Sequence, residues 1–138
     1  GSACLHKLPI LPGHVIPVLR NMQGHPEAPR LWLTHIHNIL QQDLHMKPTT
    51  HEPCLYLGTQ DGHQIFLVRQ VDDFAVSAPS LHIANASFCR LDDLLLEPLK
   101  MQGIISYFNG VNLRQGQEFI TVTCEMYLDR VFKRHGCR

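Results

Sequence analysis

Two adjacent acids, Asp72 and Asp73, interrupt the otherwise apolar run over residues 65–77, Ile-Phe-Leu-Val-Arg-Gln-Val-Asp-Asp-Phe-Ala-Val-Ser. Successive side chains of a strand point to opposite faces, so neighbouring carboxylates can serve one ligand only where the chain turns. Asp tolerates turn geometry, and residues 65–71 and 74–78 are long enough to be the two arms of a hairpin. An acid pair at such a tip has two readings: a solvated turn, or hard oxygen ligands for a divalent cation. The pair alone leaves both open.

Other candidates carry less chemistry. Ten histidines raise the question of zinc. His35 and His37, however, fall two apart on an expected helix and do not share a face, while His6, His45, His51 and His63 fall in unrelated loops. Asp92 and Asp93 lie in a helical stretch, where neighbours point about 100° apart, and read as a solvated face. Trp32, Ile36 and Leu40 read as core, because a base-stacking platform needs exposed aromatics beside basic groups. Arg30 either packs along its stem or contacts nucleic acid. Cys89 reads as a small buried residue. Lys133, Arg134 and Arg138 read as helix-end charges.

The chain has 138 residues, 44% of them hydrophobic, enough for one domain with a real core. Twelve basic and twelve acidic residues cancel, so nothing draws the whole molecule to nucleic acid or an anionic membrane, and any nucleic-acid contact must be local. No apolar run approaches the roughly 20 residues of a membrane span. Five cysteines, odd in number and without paired spacing, point to free thiols in a reducing compartment. The opening Gly1-Ser2-Ala3 reads as a cloning remnant rather than a signal peptide.

The elements that must position the acids follow from periodicity and punctuation. Pro9, Pro12, Gly13 and Pro17 make residues 1–20 a proline-rich lead-in with short extended pieces at 8–11 and 15–19. A helix follows, with Pro26 and Pro29 near its first turn and Trp32, Ile36, Ile39, Leu40 and Leu44 on one face, ended by Lys47-Pro48. A strand over 54–57 and the turn signal Asp61-Gly62 lead into the acidic hairpin. Ser80 caps a helix with Leu81, Ala84, Phe88, Leu91 and Leu95 inward, closed by Pro98. Ile105, Tyr107, Val111 and Leu113 share one parity and predict a strand over 104–113. A loop over 114–117 then returns the chain as a strand over 118–123. The last helix, 124–135, places Leu128, Val131 and Phe132 inward and stops at Gly136. This order predicts an α+β fold, an antiparallel sheet with helices packed on one face and the acids at its exposed rim.

Several stretches, taken in order, resemble the reverse transcriptase of Ty1/copia-type retrotransposons. Gly24-His25-Pro26-Glu27-Ala28-Pro29-Arg30-Leu31-Trp32 is similar to the family's Gly-Leu-Lys-Gln-Ala-Pro-Arg-x-Trp opening of a palm helix. Gln70-Val71-Asp72-Asp73 resembles its Tyr-Val-Asp-Asp hairpin, and His51-Glu52-Pro53-Cys54-Leu55-Tyr56 its Asp-Pro-Cys-Leu-Phe. Ser106-Tyr107-Phe108-Asn109-Gly110-Val111 is similar to Tyr-Phe-Leu-Gly-Ile, and the final helix up to His135-Gly136 resembles the family's Lys-Arg-Phe-Gly ending. The resemblance covers residues 21–136 and implies a partial, reverse-transcriptase palm-like domain of an RNA-directed DNA polymerase. It implies two-metal nucleotidyl transfer with Mg2+ or Mn2+, and an RNA/DNA template-primer and a deoxynucleoside triphosphate as partners of the full-length parent. The implied setting is intracellular: cytoplasm, nucleus or a virus-like particle. Carried over by residue, Asp72 is a catalytic metal ligand and Asp73 its neighbour at the metals. Gly24, Glu27, Arg30, Gln70 and Val71 fall on the substrate and nucleic-acid side, and Pro29 and Trp32 seat the helix behind.

Three departures bear on activity. The family's first catalytic Asp lies upstream of the Gly-Leu-Lys-Gln segment, and residues 1–23 here contain no acid. Gln70 replaces the Tyr. Glu27 replaces a Gln, and its carboxylate repels an incoming triphosphate by about 1 kcal/mol when solvated at about 4 Å. The expectation is a polymerase fragment inactive alone, with weak or absent metal binding. The alternative is a non-catalytic palm serving protein or nucleic-acid association, including self-association through open sheet edges.

Overall fold

The computed structural model describes residues 24–136; the expected lead-in over residues 1–20 lies outside them. Helix α1, Ala28–Asn38, starts with Pro29 in its first turn, where a missing N–H costs no hydrogen bond. It runs into a π-helical turn, Ile39–Asp43, in which the Leu44 amide donates to the Ile39 carbonyl. His45 then adopts a left-handed conformation with φ 54° and reverses the chain. The helix therefore ends before Lys47-Pro48, and that pair forms a short strand, β1, Lys47–Pro48, rather than the expected stop.

Strands β2, Leu55–Gln60, β3, His63–Gln70, and β4, Asp73–Ser77, complete an antiparallel sheet in the order β1-β2-β3-β4. Asp61 and Gly62 both take positive φ, 51° and 77°, the geometry that matches the twist of a two-residue hairpin. Register puts Tyr56 opposite Leu67 and Gly58 opposite Ile65. These residues share the face that receives the helices. The core joins Ile36, Ile39, Leu40, Leu44 and Met46 to Tyr56, Ile65 and Leu67, and to Ile83 and Leu91 of helix α2, Leu81–Asp92. The α+β expectation, with helices on one face of an antiparallel sheet, holds for this part.

Ser80 caps α2 as expected, its Oγ accepting from the Ile83 amide at 3.3 Å. The inward face differs. Ile83, Ser87 and Leu91 are buried while Leu81 is 51% exposed. A polar residue, Ser87, occupies the middle of the buried row, so a reading that counts apolar positions alone sets the phase one step off. The helix also stops well before Pro98. Asp92 Oδ1 accepts the Leu99 amide and ties down the following loop, so Asp92 is a structural acceptor rather than part of a solvated pair. Cys89 is exposed, not buried.

A second antiparallel sheet follows, β5, Tyr107–Phe108, β6, Val111–Gln115, and β7, Ile120–Thr123. The expected single strand over 104–113 is a hairpin instead. Asn109 and Gly110 take φ 48° and 85°, and Asn-Gly is the pair best suited to two consecutive left-handed residues. Helix α3, Glu125–His135, packs against β6 and ends at Gly136 with φ 64°. Of its expected inward residues Leu128 and Phe132 are exposed and Val131 is half-buried, and no residue of α3 is fully buried. No helix among the described residues is long and apolar enough to cross a membrane.

The acidic hairpin and its supporting helix

The acids sit where the alternation breaks. Gln70 pairs with Asp73 across β3 and β4, which leaves Val71 and Asp72 as a two-residue tip. Val71 takes φ 56°. For a β-branched residue this left-handed geometry is unfavourable, on the order of 1–3 kcal/mol, and persists only where surroundings impose it. The surroundings here are Trp32. Its indole Nε1–H donates to the Val71 carbonyl at 2.9 Å, the oxygen of the peptide linking Val71 to Asp72. Trp32 itself is half-buried and packs against the core. The helix thus anchors the central peptide of the turn that carries the acids.

This bond unites the two stretches that carry the strongest resemblance, the Pro29-Arg30-Leu31-Trp32 helix opening and Gln70-Val71-Asp72-Asp73. Trp32 is core, as its spacing implied, but its N–H has a second task that periodicity does not disclose. Gln70, Asp72 and Asp73 are all exposed at the tip. Among the described residues neither carboxylate has a hydrogen-bond or ion-pair partner, so both are open to solvent.

Gly24 precedes the helix with φ 88° and is exposed. Glu27 and Arg30 are bound to each other, Arg30 Nε donating to Glu27 Oε2 at 2.8 Å. Both side chains are largely exposed. That excludes the reading in which the Arg30 stem is buried. It also means Glu27 presents a partly neutralised carboxylate, which weakens the expected repulsion of a phosphate. The described structure joins the helix to the hairpin tip through Trp32, while Glu27 and Arg30 contact each other and not the acids.

By donor type the acid pair suits a hard divalent cation. By number it falls short. Among the described residues no group of three or more His, Cys, Asp or Glu side chains is placed to hold a metal ion. The described residues alone do not complete a three-ligand metal site.

Two side chains, half-buried His37 and buried Arg69, have surroundings that the sequence does not disclose. His37 Nδ1 and the Tyr56 hydroxyl lie 2.8 Å apart in a hydrogen bond, so His37 belongs to the core-facing side of α1. Arg69, one residue before Gln70, is buried although charged. Alternation does place Arg69 in phase with Ile65 and Leu67, and that parity was the available signal.

No family model matches the chain, and no solved structure matches it. A Saccharomyces cerevisiae protein carrying the name of transposon Ty5-1 is 30% identical over 118 residues, 85% of this chain. The chain spans 37% of the length of that relative. The likeness runs over most of the described fold, acidic hairpin and supporting helix included, and on it the chain is retrotransposon-related.

Proposed function

We propose that the chain is part of the palm of an RNA-directed DNA polymerase and presents two acids for nucleotidyl transfer without completing the catalytic site by itself. The supporting observation is the Trp32 bond to the Val71 carbonyl. It fixes the acid-bearing turn to the helix whose opening resembles the polymerase motif. In this reading Asp72 and Asp73 are the catalytic acids, and Gln70 and Val71 flank the primer end. Gly24, Glu27 and Arg30 border the nucleotide. Two-metal chemistry, template-primer and triphosphate belong to the full-length parent. This chain contributes the rigid acid tip.

Two carboxylates at one exposed turn are expected to bind Mn2+ weakly. Adding about 1 mM Mn2+ should broaden the backbone amide signals of residues 71–74 before others, and Asp72→Asn should abolish that selectivity. Unchanged signals at the tip would contradict the reading. They would favour the second one, a non-catalytic palm used in association. Sedimentation at several concentrations tests that alternative, and a strict monomer that binds no nucleic acid counts against it.

A further inference from the structure

Arg69 is 6% exposed, and its guanidinium meets only the Tyr56 hydroxyl and the Cys54 sulfur. Nη2 donates to Cys54 Sγ at 3.7 Å, a weak acceptor. Nε and Nη1 are closed off from solvent and have no hydrogen-bond partner. A guanidinium stays charged in proteins, and a buried cation without a counter-charge is strongly destabilising. No acidic side chain among the described residues supplies that charge. All twelve acids fall within the described residues, none lies within ion-pair distance of Arg69, and residues 1–23 contain no acidic side chain to add.

The neighbouring phenol is no substitute. Burial pushes the Tyr56 hydroxyl above its ordinary value, outweighing the downward pull of the Arg69 charge. Near neutral pH the group is therefore a neutral phenol, already hydrogen-bonded to His37. What remains is a buried arginine with two free N–H-bearing nitrogens, flanked by a phenol and a thiol, on the sheet face that packs against the helices.

We propose that Arg69 is the receptor for an oxyanion supplied from outside this chain, held by the N–H groups of Nε and Nη1 beside Tyr56 and Cys54. The anion is either a free oxyanion or a carboxylate carried by another polypeptide segment. Both nitrogens are covered, so the anion enters only as the covering side chains part, and occupancy locks β3 immediately before the acidic tip. This site does not depend on the polymerase reading.

The test is a thermal-stability titration with inorganic phosphate and with acetate, at constant ionic strength, on wild type and on Arg69→Met. Wild type should gain stability in proportion to the logarithm of anion concentration above the dissociation constant, about 5 °C at ten times that constant, while R69M, with its general salt response as the control, should not. Without added anion R69M should melt at or above the wild-type temperature, because an uncompensated charge has been replaced by an apolar side chain. Sedimentation distinguishes the sources: concentration-dependent association of wild type but not R69M identifies a carboxylate of a second copy. Failure of R69M to fold, or identical anion responses and identical association in the two proteins, would overturn the proposal.

Discussion

Leu40→Ala is expected to lower the unfolding free energy by about 2–5 kcal/mol, whereas Phe132→Ala is expected to lower it by less than about 1 kcal/mol. Both remove a large apolar side chain. Leu40 is fully buried at the junction of α1 and its π turn, while Phe132 on α3 is 48% exposed. Among the described residues every buried hydrophobic one lies between Ile36 and Leu91, so their cohesion is concentrated under the first sheet. Small domains have little stability in reserve, and the Leu40 cavity should leave a visible unfolded fraction at moderate denaturant. Urea midpoints at unchanged slope provide the comparison. Equal losses for the two variants would place a core under α3 that the structure does not contain.

The second large effect is expected at Gly58. A Cβ there would lie 2.7 Å from Met46 Cγ. That atom is near the stem of the side chain, so swinging the thioether tip cannot relieve the clash. Gly58→Ala should cost about 1–3 kcal/mol through overpacking. The mechanism makes a further demand. Met46→Ala, costly alone because Met46 is buried, should cost much less in the G58A background, since the two substitutions exchange volume across one contact. Additive losses would show that the glycine serves some purpose other than the close approach of β1 and β2.

Much of the first sheet was legible in the sequence because local signals there agree with the global packing. Asp61-Gly62 and Ser80 specify a turn and a cap by their own chemistry. The apolar spacing Ile36, Ile39, Leu40 and Leu44 survives the π turn because each residue still reaches the same core. The expected arms, 65–71 and 74–78, match the observed strands His63–Gln70 and Asp73–Ser77 to within two residues, since two charges in an apolar run leave few places for a turn.

What was missed has physical causes. The first hairpin of the second sheet is hidden in the sequence because the parity of Ile105, Tyr107, Val111 and Leu113 continues across the turn at Asn109-Gly110. The amphipathic pattern of α3 predicts a buried face, but a pattern reports only which residues share a face. It does not say that a partner is present. Arg69 and His37 could not be assigned their neighbours because those contacts join residues distant in sequence, Cys54 with Arg69 and Tyr56 with His37. The link most relevant to function is of the same kind. Nothing in the order Pro-Arg-Leu-Trp states that the indole will meet a carbonyl 39 positions later. The resemblance brought both stretches into view, and the fold supplied the bond between them.

That bond is the point at which the account stands or falls, because it is what makes a strained two-residue turn into a fixed presentation of Asp72 and Asp73. The direct measurement is proton NMR of the Trp32 indole Nε1–H, the only tryptophan signal of the chain. The expected result is slow exchange with solvent and cross-relaxation from the indole proton to the Val71 and Asp72 backbone protons. An indole proton that exchanges as fast as free tryptophan, with no cross-relaxation to the tip, would contradict it.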